Sequence, residues 1–79
     1  MVGFDGSSAS GRTGAVDQVI NYIRHAIKNG TYNVGDKLPN ESELATTIGV
    51  GRSSLREGMR ILSTYGIVEI RQGDGTYII

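Results

Sequence analysis

Six consecutive residues, Gly51-Arg52-Ser53-Ser54-Leu55-Arg56, combine side chains whose chemistry is recognition and not turnover. An arginine guanidinium is a planar fork of donors that grips guanine O6 and N7 in a bidentate pair, and a serine hydroxyl near a helix N-terminus suits a phosphate oxygen. On a helix, Arg52, Ser53 and Arg56 fall on one face, opposite Leu55, Met59 and Leu62. That spacing fits insertion of a helix end into a major groove. A second cluster, Arg71-Gln72-Gly73-Asp74-Gly75, sets a basic and an amide side chain beside glycines, at a tip able to approach a minor groove closely. A solvated amphipathic helix and a plain hairpin would carry the same residues, so neither cluster decides a function alone.

Other chemistries fail on inspection. The single histidine, His25, lies off the apolar stripe of its helix with no nucleophile or acid to complete a catalytic set, so no catalytic residue is assigned. A phosphate-binding loop would need glycine at position 46 and lysine at 52, where Thr46 and Arg52 stand. Cysteine is absent, which removes disulfides and thiolate metal sites; no metal and no cofactor is expected. Asn29-Gly30-Thr31 and Asn40-Glu41-Ser42 match the glycosylation sequon, but without a secretion signal they read as chance matches.

The elements that must position the two clusters can be traced along the chain. Residues 1–14, rich in glycine and serine, predict a flexible leader, either a vector-derived linker or a natural arm whose Arg12 touches a phosphate. From Ala15, the apolar residues Val16, Val19, Ile20, Ile23 and Ile27 keep helical spacing up to Gly30. Thr31 to Pro39 is a turn-rich connector in which Lys37-Leu38 suggests a short edge strand. Asn40-Glu41-Ser42-Glu43 predicts a capping box, opening a two-turn helix that turns Leu44, Ala45 and Ile48 inward and stops at Gly49. A third helix carries Leu55, Met59 and Leu62 as far as Gly66. Two short helices across a tight glycine turn make a helix-turn-helix. Ile67, Val68 and Ile70 then read as one strand, Gln72 to Gly75 as a turn and Thr76 to Ile79 as a second strand, with Asp74-Gly75 as the hairpin signal. The expected fold is α+β: residues 15–79 as a three-helix winged helix-turn-helix with a C-terminal β-hairpin wing.

Composition constrains the partner. The chain has 79 residues and zero formal net charge, which argues against a uniformly basic nucleic-acid binder. Between Arg52 and Arg71, however, the basic residues Arg52, Arg56, Arg60 and Arg71 face only Glu57 and Glu69 within that stretch. Positive charge is therefore local. No apolar run approaches the roughly 18 residues that span a bilayer, and no secretory signal is present, so a cytoplasmic protein without a membrane partner is expected.

The segments Gly35-Asp36-Lys37-Leu38-Pro39-Asn40-Glu41-Ser42-Glu43-Leu44-Ala45, Gly49 to Glu57 and Gly73-Asp74-Gly75-Thr76-Tyr77 together resemble the N-terminal domain of GntR-family regulators, and Leu55 to Glu69 with Gly73 to Tyr77 is most similar to the FadR-type branch. The resemblance implies a bacterial transcriptional regulator, a repressor by expectation, whose winged helix binds double-stranded DNA at a palindromic operator as a homodimer. It also implies a separate C-terminal domain that binds a metabolite effector and is absent from this chain. By the same resemblance Arg52 and Arg56 are major-groove contacts, Ser53 and Ser54 backbone contacts, and Gln72 with Gly73 the wing tip, beside Arg71. The family often has arginine where Ser42 stands, and serine or threonine where Gly51 stands, so a hydroxyl replaces one reader and a capping hydroxyl is missing. The alternative reading is a winged helix used as a protein-interaction module.

Overall fold

A computed structural model describes residues 14–79. The leader expected over residues 1–14 lies, apart from Gly14, outside the described residues, and Gly14 itself is the first residue of a helix. Three helices, α1 (Gly14–Lys28), α2 (Glu41–Ile48) and α3 (Arg52–Thr64), precede strands β1 (Val68–Arg71) and β2 (Gly75–Ile78). The strands form one antiparallel pair in the register Val68↔Ile78 to Arg71↔Gly75. This is a winged helix-turn-helix.

Each helix is held by the face it buries. In α1, Val16, Val19, Ile20 and Ile23 are buried as the spacing predicts, but the next position inward is Ala26, leaving Ile27 only partly covered. The Asn40 side chain accepts from the Glu43 N–H at 2.8 Å and caps α2. The return bond expected from the Glu43 carboxylate does not form, so the capping box is half made. Gly49, at φ 86°, ends α2 in a left-handed turn, its N–H donating to the Ala45 carbonyl. Leu44 from α2, Leu55 and Leu62 from α3, and Val68 and Ile78 from the hairpin meet α1 in a single core.

The α1–α2 connector is tied to the far end of the chain. Gly35 N–H donates to the Ile78 carbonyl (2.8 Å), Leu38 N–H to the Thr76 carbonyl (2.8 Å), and Ile78 N–H to the Asp36 carbonyl (2.9 Å). The edge strand expected at Lys37-Leu38 is thus a single antiparallel bridge, Lys37↔Tyr77, flanked by these bonds. Pro39 keeps it short, since proline has no N–H to extend the ladder. The side chain of Leu38 is buried, so this pairing fixes the wing against the helices.

Between α1 and α3 the backbones come close at Gly58. A Cβ built there would lie 2.6 Å from Val19 Cγ1 and 2.7 Å from Val19 Cβ. Only the absence of a side chain lets the two helices cross at this distance.

Candidate nucleic-acid interface

Helix α3 is amphipathic. Leu55, Gly58, Met59 and Leu62 are buried, and Arg52, Ser53, Arg56 and Arg60 face solvent. Its start runs against helix stability. Gly51 supplies no side-chain cap, no acid occupies the first turn, and Arg52 sits where the positive end of the dipole disfavours a cation. Unpaired backbone N–H groups at such an end attract anions instead. Local stability has been given up where a phosphate-bearing partner would gain.

The arginines expected to form a free positive cluster are mostly paired. Arg56 Nε donates to both Glu41 carboxylate oxygens at 3.1 Å, joining α3 to α2. Arg60 pairs with Glu57 one turn away. Arg71 donates through Nε and Nη2 to Glu69 at 3.2 and 3.1 Å, while its guanidinium lies 4.1 Å from the centre of the Tyr77 ring. Hydrogen bonds to their carboxylate partners raise the pKa of Arg56 and Arg71 further above the ordinary arginine value. Among the described residues of α3 and the wing, Arg52 is the arginine without a partner. The four arginines are all exposed to solvent, so the pairs are exchangeable and not locked.

The wing is braced along its length. Asp74 N–H donates to the Arg71 carbonyl at 3.0 Å, and Gly73 takes φ 75° in between. Within the turn expected over Gln72 to Gly75, the tight bend therefore centres on Gln72-Gly73 and not on the Asp74-Gly75 pair that signals the hairpin. A left-handed residue is needed at the third turn position, and Gly73 supplies it. The Asp74 carboxylate accepts from the Tyr77 hydroxyl at 3.1 and 3.0 Å and pairs with Lys37 at 3.3 Å. Lys37 reaches it by running its stem across Gly75.

First the Tyr77 hydroxyl and then Lys37 hold the Asp74 carboxyl below the usual carboxylate range. A depressed acid stabilises the fold above its unfolded pKa, and that contribution is lost as pH falls through the folded value. The Asp74 carboxyl carbon should therefore titrate, by NMR, below an ordinary aspartate, and Tyr77→Phe should move the midpoint upward. An unmoved midpoint in Tyr77→Phe would show that the hydroxyl is not what holds the charge.

A concave surface opens between α3 and the wing. Ser53, Arg56, Arg71, Gln72 and Gly73 line it, so five of the eight candidate residues come together. Arg52, Ser54 and Ser42 lie outside this lining: Arg52 is exposed at the start of α3, Ser54 is half-buried, and Ser42 is exposed on the first turn of α2. Lys37, Glu41 and Arg60 join the lining although the sequence names none of them as a contact. Their signal lay in charge, but only the chain's crossing brings them there. Among the described residues, no helix is long and apolar enough to cross a membrane.

Comparison with known proteins decides the family. The sequence profile of the bacterial regulatory proteins of the gntR family matches residues 15–78. The chain belongs to this family. The matched segment is the GntR helix-turn-helix DNA-binding domain, and GntR proteins are regulators and not enzymes. Over 57 residues the domain is 39% identical to the Uxu operon regulator of Haemophilus influenzae, covering 72% of this chain and 21% of that protein. Over 61 residues it is 43% identical to the mannosyl-D-glycerate transport/metabolism system repressor MngR of Escherichia coli, covering 77% and 25% respectively. The chain thus spans about a fifth to a quarter of the length of these curated relatives. Among solved structures, the AraR DNA-binding domain in complex with operator ORE1 superposes with a TM-score of 0.77 at 31% identity, over 82% of this chain and 79% of that one. The GntR fold expected from the sequence is the fold observed.

Proposed function

We propose that this GntR domain reads a specific operator by placing the N-terminal turn of α3 in the major groove and the wing in the adjacent minor groove. Arg52 and Arg56 are the base readers, Ser53, Ser54 and Ser42 the phosphate contacts, and Gln72, Gly73 and Arg71 the wing contacts. The observation that carries this reading is the first turn of α3, which lacks a side-chain cap and exposes Arg52, without a partner among the described residues, to solvent. Support comes from the AraR relative, whose structure holds an operator, and from MngR, which is named a repressor. The regulator is accordingly a repressor. It works as a homodimer on a two-fold symmetric site, under the control of a metabolite bound by a further domain.

Zero net charge and the carboxylate partners of Arg56, Arg60 and Arg71 favour a second reading, a protein-interaction surface. A salt titration separates the two. If about four phosphates are neutralised, raising salt from 50 to 200 mM should weaken DNA binding roughly a hundredfold, at about 0.9 in slope per phosphate. Affinity for duplex DNA that stays flat over this range would sink the operator reading.

A further inference from the structure

Every exposed cation around the concave surface has a carboxylate partner, but one pair differs from the rest in what it leaves free. Arg60 and Arg71 bond to their partners through terminal nitrogens. Arg56 is held through Nε alone, with both oxygens of Glu41 at 3.1 Å, so among the described residues no bond occupies the Nη1–Nη2 edge of its guanidinium. That edge carries the two parallel N–H groups needed to grip guanine O6 and N7 end-on.

The holding group is itself fixed. Glu41 opens α2, where an acidic residue is favoured by the helix dipole, and α2 is anchored through buried Leu44 and Ala45. The pair spans the helix-turn-helix turn, from residue 41 to residue 56, and therefore reports the relative placement of the two helices. With side chains 63% and 50% exposed, it is well screened by water and adds little to stability. Its effect is on geometry. An arginine that is already oriented loses less side-chain freedom when it binds than one that must be immobilised at contact.

We propose that Glu41 is a positioning residue for base readout, clamping Arg56 so that its terminal guanidinium edge meets a guanine in one orientation. The inference rests on Arg56 being a base reader. Glu41 also puts a negative charge near the path of the phosphates, which weakens binding to DNA of any sequence. Both effects act in the same direction: they raise the ratio of specific to non-specific binding.

The test uses the 79-residue chain and the tightest duplex that it selects from a random DNA library, with each base pair of that duplex then changed in turn. Arg56→Ala should abolish preference at one base pair, by roughly tenfold or more. Glu41→Gln should reduce preference several-fold at that same base pair and at no other, while tightening binding to an unrelated duplex. Glu41→Asp keeps the charge at the start of α2 but is one methylene shorter, and should lose the same preference without the non-specific gain. Adding Glu41→Gln to Arg56→Ala should remove no further preference, because the two act as a unit. Thermal unfolding of each variant establishes that the domain is folded. If both Glu41 variants keep full preference at the base pair that Arg56→Ala erases, the positioning role is wrong and the base-reader reading stands. If Arg56→Ala weakens all duplexes alike, the base-reader reading of Arg56 falls, and the role of Glu41 with it.

Discussion

Gly58→Ala should lower the unfolding free energy by about 2 kcal/mol, even though alanine is about 1 kcal/mol better than glycine inside a helix. The gain in propensity is outweighed by the contact with Val19. A valine Cγ can turn away, but the new methyl would also lie 2.7 Å from the Val19 Cβ, whose position is set by the backbone. Val19 is fully buried and has nowhere to retreat, so α1 and α3 must separate. In a domain of this size a loss of 1 kcal/mol lowers Tm by about 4–8 °C. Calorimetry of the variant would check it, and a Tm at or above that of the parent would show that the helices slide apart at no cost. Because α1 props the helix that carries the arginines, DNA affinity should fall beyond what the unfolded fraction accounts for.

Arg52→Ala should cost about 1–3 kcal/mol of discrimination between the preferred duplex and a variant altered at one base pair, as for the loss of a bidentate contact. Stability should move the other way. Arg52 has no partner among the described residues and opposes the dipole at the start of α3, so its removal should leave Tm unchanged or raise it slightly. A residue that holds the fold together cannot show this divergence. Arg52→Lys separates charge from shape: lysine keeps the salt dependence of binding but lacks the planar fork, so preference at that base pair should be lost while the slope persists. Equal loss of affinity for every duplex would make Arg52 a phosphate contact.

Much of the scaffold is legible in the residues themselves because it is written locally. The stripe Val16, Val19, Ile20 and Ile23 and the cap at Asn40 are decided within one or two turns of chain, and the structure places them as the spacing predicts. What depends on crossing geometry is not legible. Gly58 reads in sequence as a weak point of a helix, and only the approach of α1 turns it into a requirement. Arg56 and Glu41 carry opposite charges, but nothing in their separation says that they meet until α2 and α3 are folded across the turn at Gly49. The local cluster of arginines was read from a stretch that excluded Glu41, whose carboxylate comes from another helix. Similarly, Asp74-Gly75 marks a hairpin correctly, and yet the turn centres two residues earlier because Gly73 can take the left-handed conformation there. The family resemblance implies which residues meet DNA, but the pairing state of their cations is a property of the fold.

The bonds between the connector and β2 have a bearing on how the chain is made. Synthesis releases α1, α2 and α3 in turn, while Asp36 and Leu38 wait for backbone partners at Thr76 and Ile78. Closing that long loop carries an entropic cost that must be spent before the contacts reward it. Until residue 78 has left the ribosome, buried Leu38 has no strand beside it and the helix-turn-helix has no wing. The last strand of the domain is thus a clasp, and the wing is not pinned to the helices before the clasp has shut.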